Sequence, residues 1–316
     1  MSLNKIGRIR ARFQKGMVLG WVVVLGWGWS AAGAAPATVA GVQTPAWVER
    51  AGARAPLRPG ETLSSSDVLE TGKDGRVHVA LPDGSTLKLG QEARIALEQL
   101  IPPETPEGLF RGTLNVLRGA FRYTTNKVAR VNQRREVNIQ IASITVAIRG
   151  TDIWGRSNNE ADLVCLIEGH IRVDHAGNAA MPMDTPLSFF VAPKNAAPRP
   201  IAAVDPAKLQ TWAAETEFAP TRSVLTPNGG WGVQLGVFGD EPSARRLQKD
   251  LESAGYPAIF TPMPGKARYR VSLAGFSTLV EARIFAREMR GRFGIRGAQA
   301  ECLASNTGCS DRLTVR

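Results

Sequence analysis

Histidine is scarce in this chain: three in 316 residues, His78, His170 and His175. None sits in an H-E-x-x-H motif, and no nucleophile elbow or paired-carboxylate motif accompanies them, so the usual signatures of hydrolases are missing. Glycan cleavage would need two positioned carboxyl groups, and nothing in the sequence marks such a pair. Cysteine is equally sparse. Cys165, Cys302 and Cys309 show no C-x-x-C spacing and no histidine neighbours, which excludes a disulfide framework and a structural zinc site. Cys302 and Cys309 are the candidate disulfide pair, closing a small loop after the last strand in an oxidising compartment. Cys165 alternates with Leu163 and Ile167 and reads as a buried apolar residue. Beyond residue 29 no apolar run approaches the ~20 residues of a membrane-spanning helix, so the remainder is expected to be soluble in whatever compartment receives it. No cofactor or metal is implied.

Positive charge, by contrast, is plentiful. The formal net charge is +11 and the isoelectric point is near 10.1, which raises nucleic acid, anionic lipid or an acidic polymer as partners. Five of the excess cations, Lys5, Arg8, Arg10, Arg12 and Lys15, fall in the first fifteen residues, leaving a moderately basic body. The apolar run from Met17 to Trp29 follows them, then small residues with Ala32 and Ala34 at an A-x-A spacing. That order is an export signal: residues 1–34 are expected to be a signal peptide, with an N-terminal anchor as the alternative.

From about Pro45 to Asp174 short alternating apolar runs recur between turn signals, without a helical period. Val77, Val79 and Leu81 share one face of a strand, and Pro82 to Gly84 turn the chain into a partner ending at Leu89. A second pair is expected around Arg118 and Gly119, and a change of apolar phase predicts a bulge or bend at Ala142 and Ser143. Further strands flank a turn at Glu168 and Gly169. Residues 192–228 lose periodicity and read as a linker, interrupted by a short helix starting at Asp205 and Pro206. Its Leu209, Trp212 and Ala213, with Phe218 beyond, would lay an apolar stripe on the β domain.

After Gly230 a βα unit repeats with an offset of 38 residues. Val233, Leu235, Phe238, Ala244, Leu247 and Leu251 correspond to Val271, Leu273, Phe276, Ala282, Phe285 and Met289. Asp240 and Thr278 are the predicted N-caps, the second in a capping box with Glu281, while Gly255 and Gly291 stand where the helices stop. Short strands after each helix complete a βαββαβ unit: a four-stranded antiparallel sheet with two helices on one face. Val233, Leu235, Val271 and Leu273 then face the helices. Gln234, Arg270 and Ser272 must face the other way, offering an amide, a guanidinium and a hydroxyl to an extended partner.

The segments WGVQLGVF (231–238), ESAGYP (252–257) and YRVSLAGF (269–276) resemble the SPOR (sporulation-related repeat) family over residues 229–304. The resemblance implies binding of peptidoglycan glycan strands stripped of their peptides, through the uncovered sheet face, with Gln234 and Arg270 at recognition positions. Ser272, Val237 and Trp231 join them as candidate glycan-binding residues, Trp231 by stacking on a sugar, with a core position at the domain boundary as its alternative. Val237 stands where the family often has serine, and Ala274 and Gly275 replace its usual Gly-Pro. Upstream, LETG (69–72), GRVHVALPDGSTLKL (75–89), LRG (117–119), AIRGT (147–151) and LIEGHIRV (166–173) resemble the FecR family. The namesake regulator carries a cytoplasmic anti-sigma segment before its membrane helix, whereas fifteen residues precede the apolar run here. The resemblance therefore implies a periplasmic interaction or scaffold module, and Arg149, Gly150 and Thr151 read as a turn.

The expected architecture is multidomain. An all-β FecR-like domain (sandwich or β-helix-like) over 45–191 precedes the α+β ferredoxin-like SPOR domain over 229–304, with a tail over 305–316. The expected function is that of a non-enzymatic periplasmic protein of a Gram-negative envelope, enriched at the division septum. It would bind peptidoglycan glycan strands through the SPOR domain and a periplasmic or outer-membrane protein through the FecR domain. The alternatives are a transmembrane FecR-type signalling regulator or a murein-modifying enzyme. Nucleic acid is excluded, because the sheet lacks stacking aromatics on its open face.

Overall fold

A computed structural model describes residues 36–103, 108–126, 134–148, 150–176, 179–265 and 267–303. The expected export signal, Arg149 and Cys309 lie outside these residues. Among the described residues no helix is long and apolar enough to cross a membrane.

Seventeen strands build the first region, from Ala37–Gln43 to Arg199–Ala203. Alternation decides which side chains go in. Val77 and Val79, Leu87 and Leu89, Ile95 and Leu97, and Ile139 and Ile141 are all fully buried, and the residues between them are not. The 16-residue strand Leu109–Thr124 organises this region because its two halves have different neighbours. Its first half pairs antiparallel with Arg94–Ile101 and parallel with Arg134–Ile141; its second half pairs with Thr86–Leu89 and Asp152–Ser157. The pair of strands expected around Gly119 is thus one strand. The register shifts at Arg118, and Gly119 has a φ of +84° with its α-carbon so near Ala93 that a β-carbon would lie 2.4 Å from the Ala93 backbone. The bulge or bend expected at Ala142 is a two-residue hairpin turn instead, since Ile141 pairs with Ile144 and Ala142 has a φ of 45°. A two-residue loop shifts apolar phase just as a bulge does, so phase alone could not separate them.

The stretch expected as a linker contains ordered structure. Strand Arg199–Ala203 extends the sheet, and helix Pro206–Thr216 begins at Asp205, whose carboxylate accepts from the Ala207 and Lys208 amides. Trp212 stacks on buried Trp154 at 5.0 Å, and Phe218 stacks on His78 at 3.7 Å. Leu225 is 1% exposed and bridges two sheets, pairing with Val42 on one side and Phe276 on the other. Trp47 donates to the Ser253 carbonyl, Ala46 to Gly255 and Ser223 to Glu281, so the two regions share one continuous apolar core.

The C-terminal region has the strand order Ile259–Pro262, Tyr269–Phe276, Trp231–Phe238, Gln299–Cys302, with every pairing antiparallel. Helices Glu241–Ser253 and Leu279–Met289 carry Ala244, Leu247, Leu251, Ala282, Phe285 and Met289 inward. Asp240 caps the first; Thr278 and Glu281 form a complete capping box on the second. The repeat offset acquires a spatial meaning, because Gln234 and its repeat equivalent Ser272 are direct cross-strand partners.

Candidate functional site

The sheet face opposite the two helices is the candidate site. Val233, Leu235, Val271 and Leu273 are buried on the helix side, and Gln234, Arg270 and Ser272 between them are half-exposed. Register sets out a row across all four strands: Gln299 opposite Gln234, Gln234 opposite Ser272, Ser272 opposite Ile259. A second row places Val237 opposite Arg270 and Arg270 opposite Thr261. Two amides, two hydroxyls and two apolar side chains thus line a strip that an extended chain could follow.

Val237 reaches this face through a local irregularity. The register shifts between Gln234 and Gly236, so that Leu235 and Gly236 both turn toward the helices. A β-carbon on Gly236 would lie 2.8 Å from the Phe238 ring, which is why the position takes glycine. Val237 emerges beyond it, 40% exposed and apolar. Trp231 goes the other way: it is half-buried and packs against the core, opposite Phe276 and Cys302. Cys302 is disulfide-bonded, and Cys165 is a buried free thiol whose pKa burial pushes up to about 12.

Arg270 makes a contact that sequence reading missed. Its guanidinium reaches across the central strand to Glu301 on the outer strand, at 3.0 Å. The Nε of Arg270 is buried without a hydrogen-bond partner. The cation is therefore held over Gln234 by an internal carboxylate rather than swinging free. Gln299, Glu301, Ile259 and Thr261 all belong to this face, and none was among the expected site residues. The alternation of Gln299 and Glu301 in the last strand was the available signal, since it has the same parity as Gln234 once the strands are paired.

The histidines gather nowhere. His78 lies on an inner strand beneath Phe218, its Nε2 donating to the Thr216 carbonyl at 2.9 Å; burial, with the Lys88 and Arg76 cations, depresses its pKa to about 4. His170 sits in the open near Asp184, and His175 stands edge-on to Phe190. Among the described residues no group of three or more metal-ligating side chains exists.

With this geometry in view, the likeness to known families can be placed on it. The FecR protein family matches residues 67–172, and the SPOR domain family matches residues 227–299, in that order. The chain carries a FecR domain followed by a SPOR domain. The SPOR match covers three strands of the sheet, its two helices and the residues of the strip as far as Gln299, where the fourth strand begins; the FecR match covers the central strands of the first region. The SPOR domain supports peptidoglycan binding, and the two domains together point to association with the cell envelope. No curated protein matches the chain. Two crystal structures of a candidate anti-sigma factor from Parabacteroides distasonis ATCC 8503 are similar to it. One has 11% identity and a TM-score of 0.37, covering 63% of this chain and 96% of that one; the other has 10% and 0.38, covering 67% and 99%.

Proposed function

We propose that this is an exported, non-enzymatic envelope protein that holds peptide-free glycan strands of peptidoglycan on the open sheet face of its SPOR domain. The FecR domain serves in this reading as a periplasmic module that engages a protein partner, and the SPOR domain brings that partner to the wall of a Gram-negative cell, at the septum. One observation carries the reading: the strip of Gln299, Gln234, Ser272 and Ile259 crosses the whole sheet, with Gln299 and Ile259 exposed and Gln234 and Ser272 half-exposed among the described residues.

The chemistry fits an extended sugar polymer. A glycan without peptides offers hydroxyls, acetamido groups and lactyl carboxylates in repeating order. Gln234 and Gln299 can exchange paired hydrogen bonds with acetamido groups, Ser272 can serve a hydroxyl, and Val237 and Ile259 supply apolar contact to the sugar rings. Arg270 suits a carboxylate, which would compete with Glu301 for the guanidinium.

A pull-down with the full chain tests this. Sacculi treated with an amidase that removes the peptides should retain the protein, and untreated sacculi should retain much less. The double variant Gln234→Ala, Ser272→Ala should lose roughly tenfold or more in affinity without a shift in thermal stability, because both side chains are half-exposed. Equal recovery on treated and untreated sacculi would reject the peptide-free specificity.

A further inference from the structure

The second helix of the SPOR domain carries a charge pattern that its own fold leaves unanswered. Arg283, Arg287 and Arg290 follow one another at helical spacing on its exposed side and line a groove of about 500 Å³ against the outer strand. Among the described residues none of the three has a carboxylate partner. Two other arginines of the domain are tied down instead: Arg245 pairs with Glu241 and covers Phe260, and Arg270 pairs with Glu301. The groove exists because the residues beneath it are small, Ala286 from the helix and Ala298 and Ala300 from the strand. Among the described residues the strand Gln299–Cys302 pairs on one side, with Trp231–Gln234, and its other edge borders the groove.

Gln299 joins the two surfaces. It lines the groove and is also the first residue of the polar strip across the sheet. A glycan strand lying on Ser272, Gln234 and Gln299 leaves the sheet at the edge that the groove borders. Arg283 and Arg287 stand one turn, about 6 Å, apart along the helix and Arg290 follows as its C-cap, so the three side chains leave the backbone along a path rather than at one point. A concave, linear cationic path suits a polymer with regularly spaced carboxylates better than it suits a flat lipid surface.

We infer that this groove is a second, electrostatic subsite for the same ligand: the glycan continues past Gln299, and its lactyl carboxylates pair with Arg283, Arg287 and Arg290. The inference rests on the sheet face being the glycan site. It makes the carboxylate, not only the sugar, part of what is recognised.

The test compares the full chain with the variant Arg283→Gln, Arg287→Gln, Arg290→Gln on three ligands. These are peptide-free glycan, the same glycan with its carboxylates converted to amides, and vesicles containing an anionic phospholipid. On native glycan the variant should bind about tenfold more weakly, and added salt should narrow the gap. On amidated glycan the two proteins should bind alike, which also shows that the variant is folded. Equal binding of both proteins to native glycan overturns the subsite, as does an equal loss on amidated glycan or a preference of the unaltered protein for the vesicles. If the unaltered protein fails to bind either glycan, the parent reading falls and takes the subsite with it.

Discussion

The two domains spend their charges differently. In the FecR domain many cations are paired with anions: Glu70 receives Arg54, Arg94 and Arg118, while Arg122 is held by Asp152 and Glu217, and Lys88 by Glu217. Several of these contacts fasten the helix and the chain after it to the sheet, as Arg156 does with Glu215. In the SPOR domain the helices are held by apolar packing, and polar groups remain on the open face and along the second helix. A basic residue is thus a poor guide to ligand binding until its partners are counted. The high isoelectric point says little, whereas three arginines without a carboxylate partner among the described residues, along a groove beside the outer strand, say a good deal.

That contrast can be broken or sharpened by substitution. The largest effect is expected at Asp162, whose side chain is fully buried and accepts from Ser143, Ser157 and Lys194. Asp162→Ala strands the ammonium and two hydroxyls and should cost about 3 kcal/mol, read as a lower urea midpoint at constant slope. Burial works against the charged form of this carboxyl, but the hydrogen bonds from Lys194, Ser143 and Ser157 outweigh it and hold the pKa below the usual carboxylate value. Its contribution is present above the ordinary carboxylate range and is lost as pH falls through the depressed folded value. The stability gap between the two proteins should therefore close in strong acid. A gap independent of pH would mean that packing, not charge, sets the cost.

Leu225 comes next. It is buried between both sheets, so Leu225→Ala should cost about 2–3 kcal/mol. Calorimetry should resolve one unfolding transition in the unaltered chain, because the core is continuous, and two in the variant. A single transition in both would show that Trp47 and the contacts around Gly255 hold the domains together without it.

The smallest effect on stability is expected at Glu301, which is 26% exposed and pairs with an arginine that is 32% exposed. Glu301→Gln should change stability by less than about 1 kcal/mol while strengthening retention on peptide-free glycan, since Arg270 no longer has an internal carboxylate to leave. Weaker retention would mean that the pair positions the guanidinium for its ligand, and the contrast drawn above would then blur.

What could be read from sequence followed the distance over which each element is decided. The SPOR repeat was legible almost entirely, because each βα unit is settled within forty residues: apolar spacing, the Asp240 and Thr278 caps and the glycine stops all act locally. Gln234, Arg270 and Ser272 were placed on one face by alternation alone. In the FecR domain the strands were legible and their partners were not. No pattern in residues 109–116 announces a parallel partner at 134–141, and none around Gly119 announces that Ser157 and Arg94 carry the ladder past it. The tie between Arg270 and Glu301 was hidden for the same reason, since it requires knowing that the last strand lies beside the first. Trp231 was offered as a sugar-stacking residue or a core residue at the domain boundary; it shares the parity of Val233 and Leu235, and that alternation points it to the core.

The double pairing of Leu225 has a mechanical consequence. Chain that hydrogen-bonds to a sheet on either side behaves as a stiff joint rather than a tether, so a displacement imposed at one end of the molecule arrives at the other as rotation of the whole body instead of being taken up as slack. A protein built this way reports where its far end is held, and in which orientation, to whatever grips the near one.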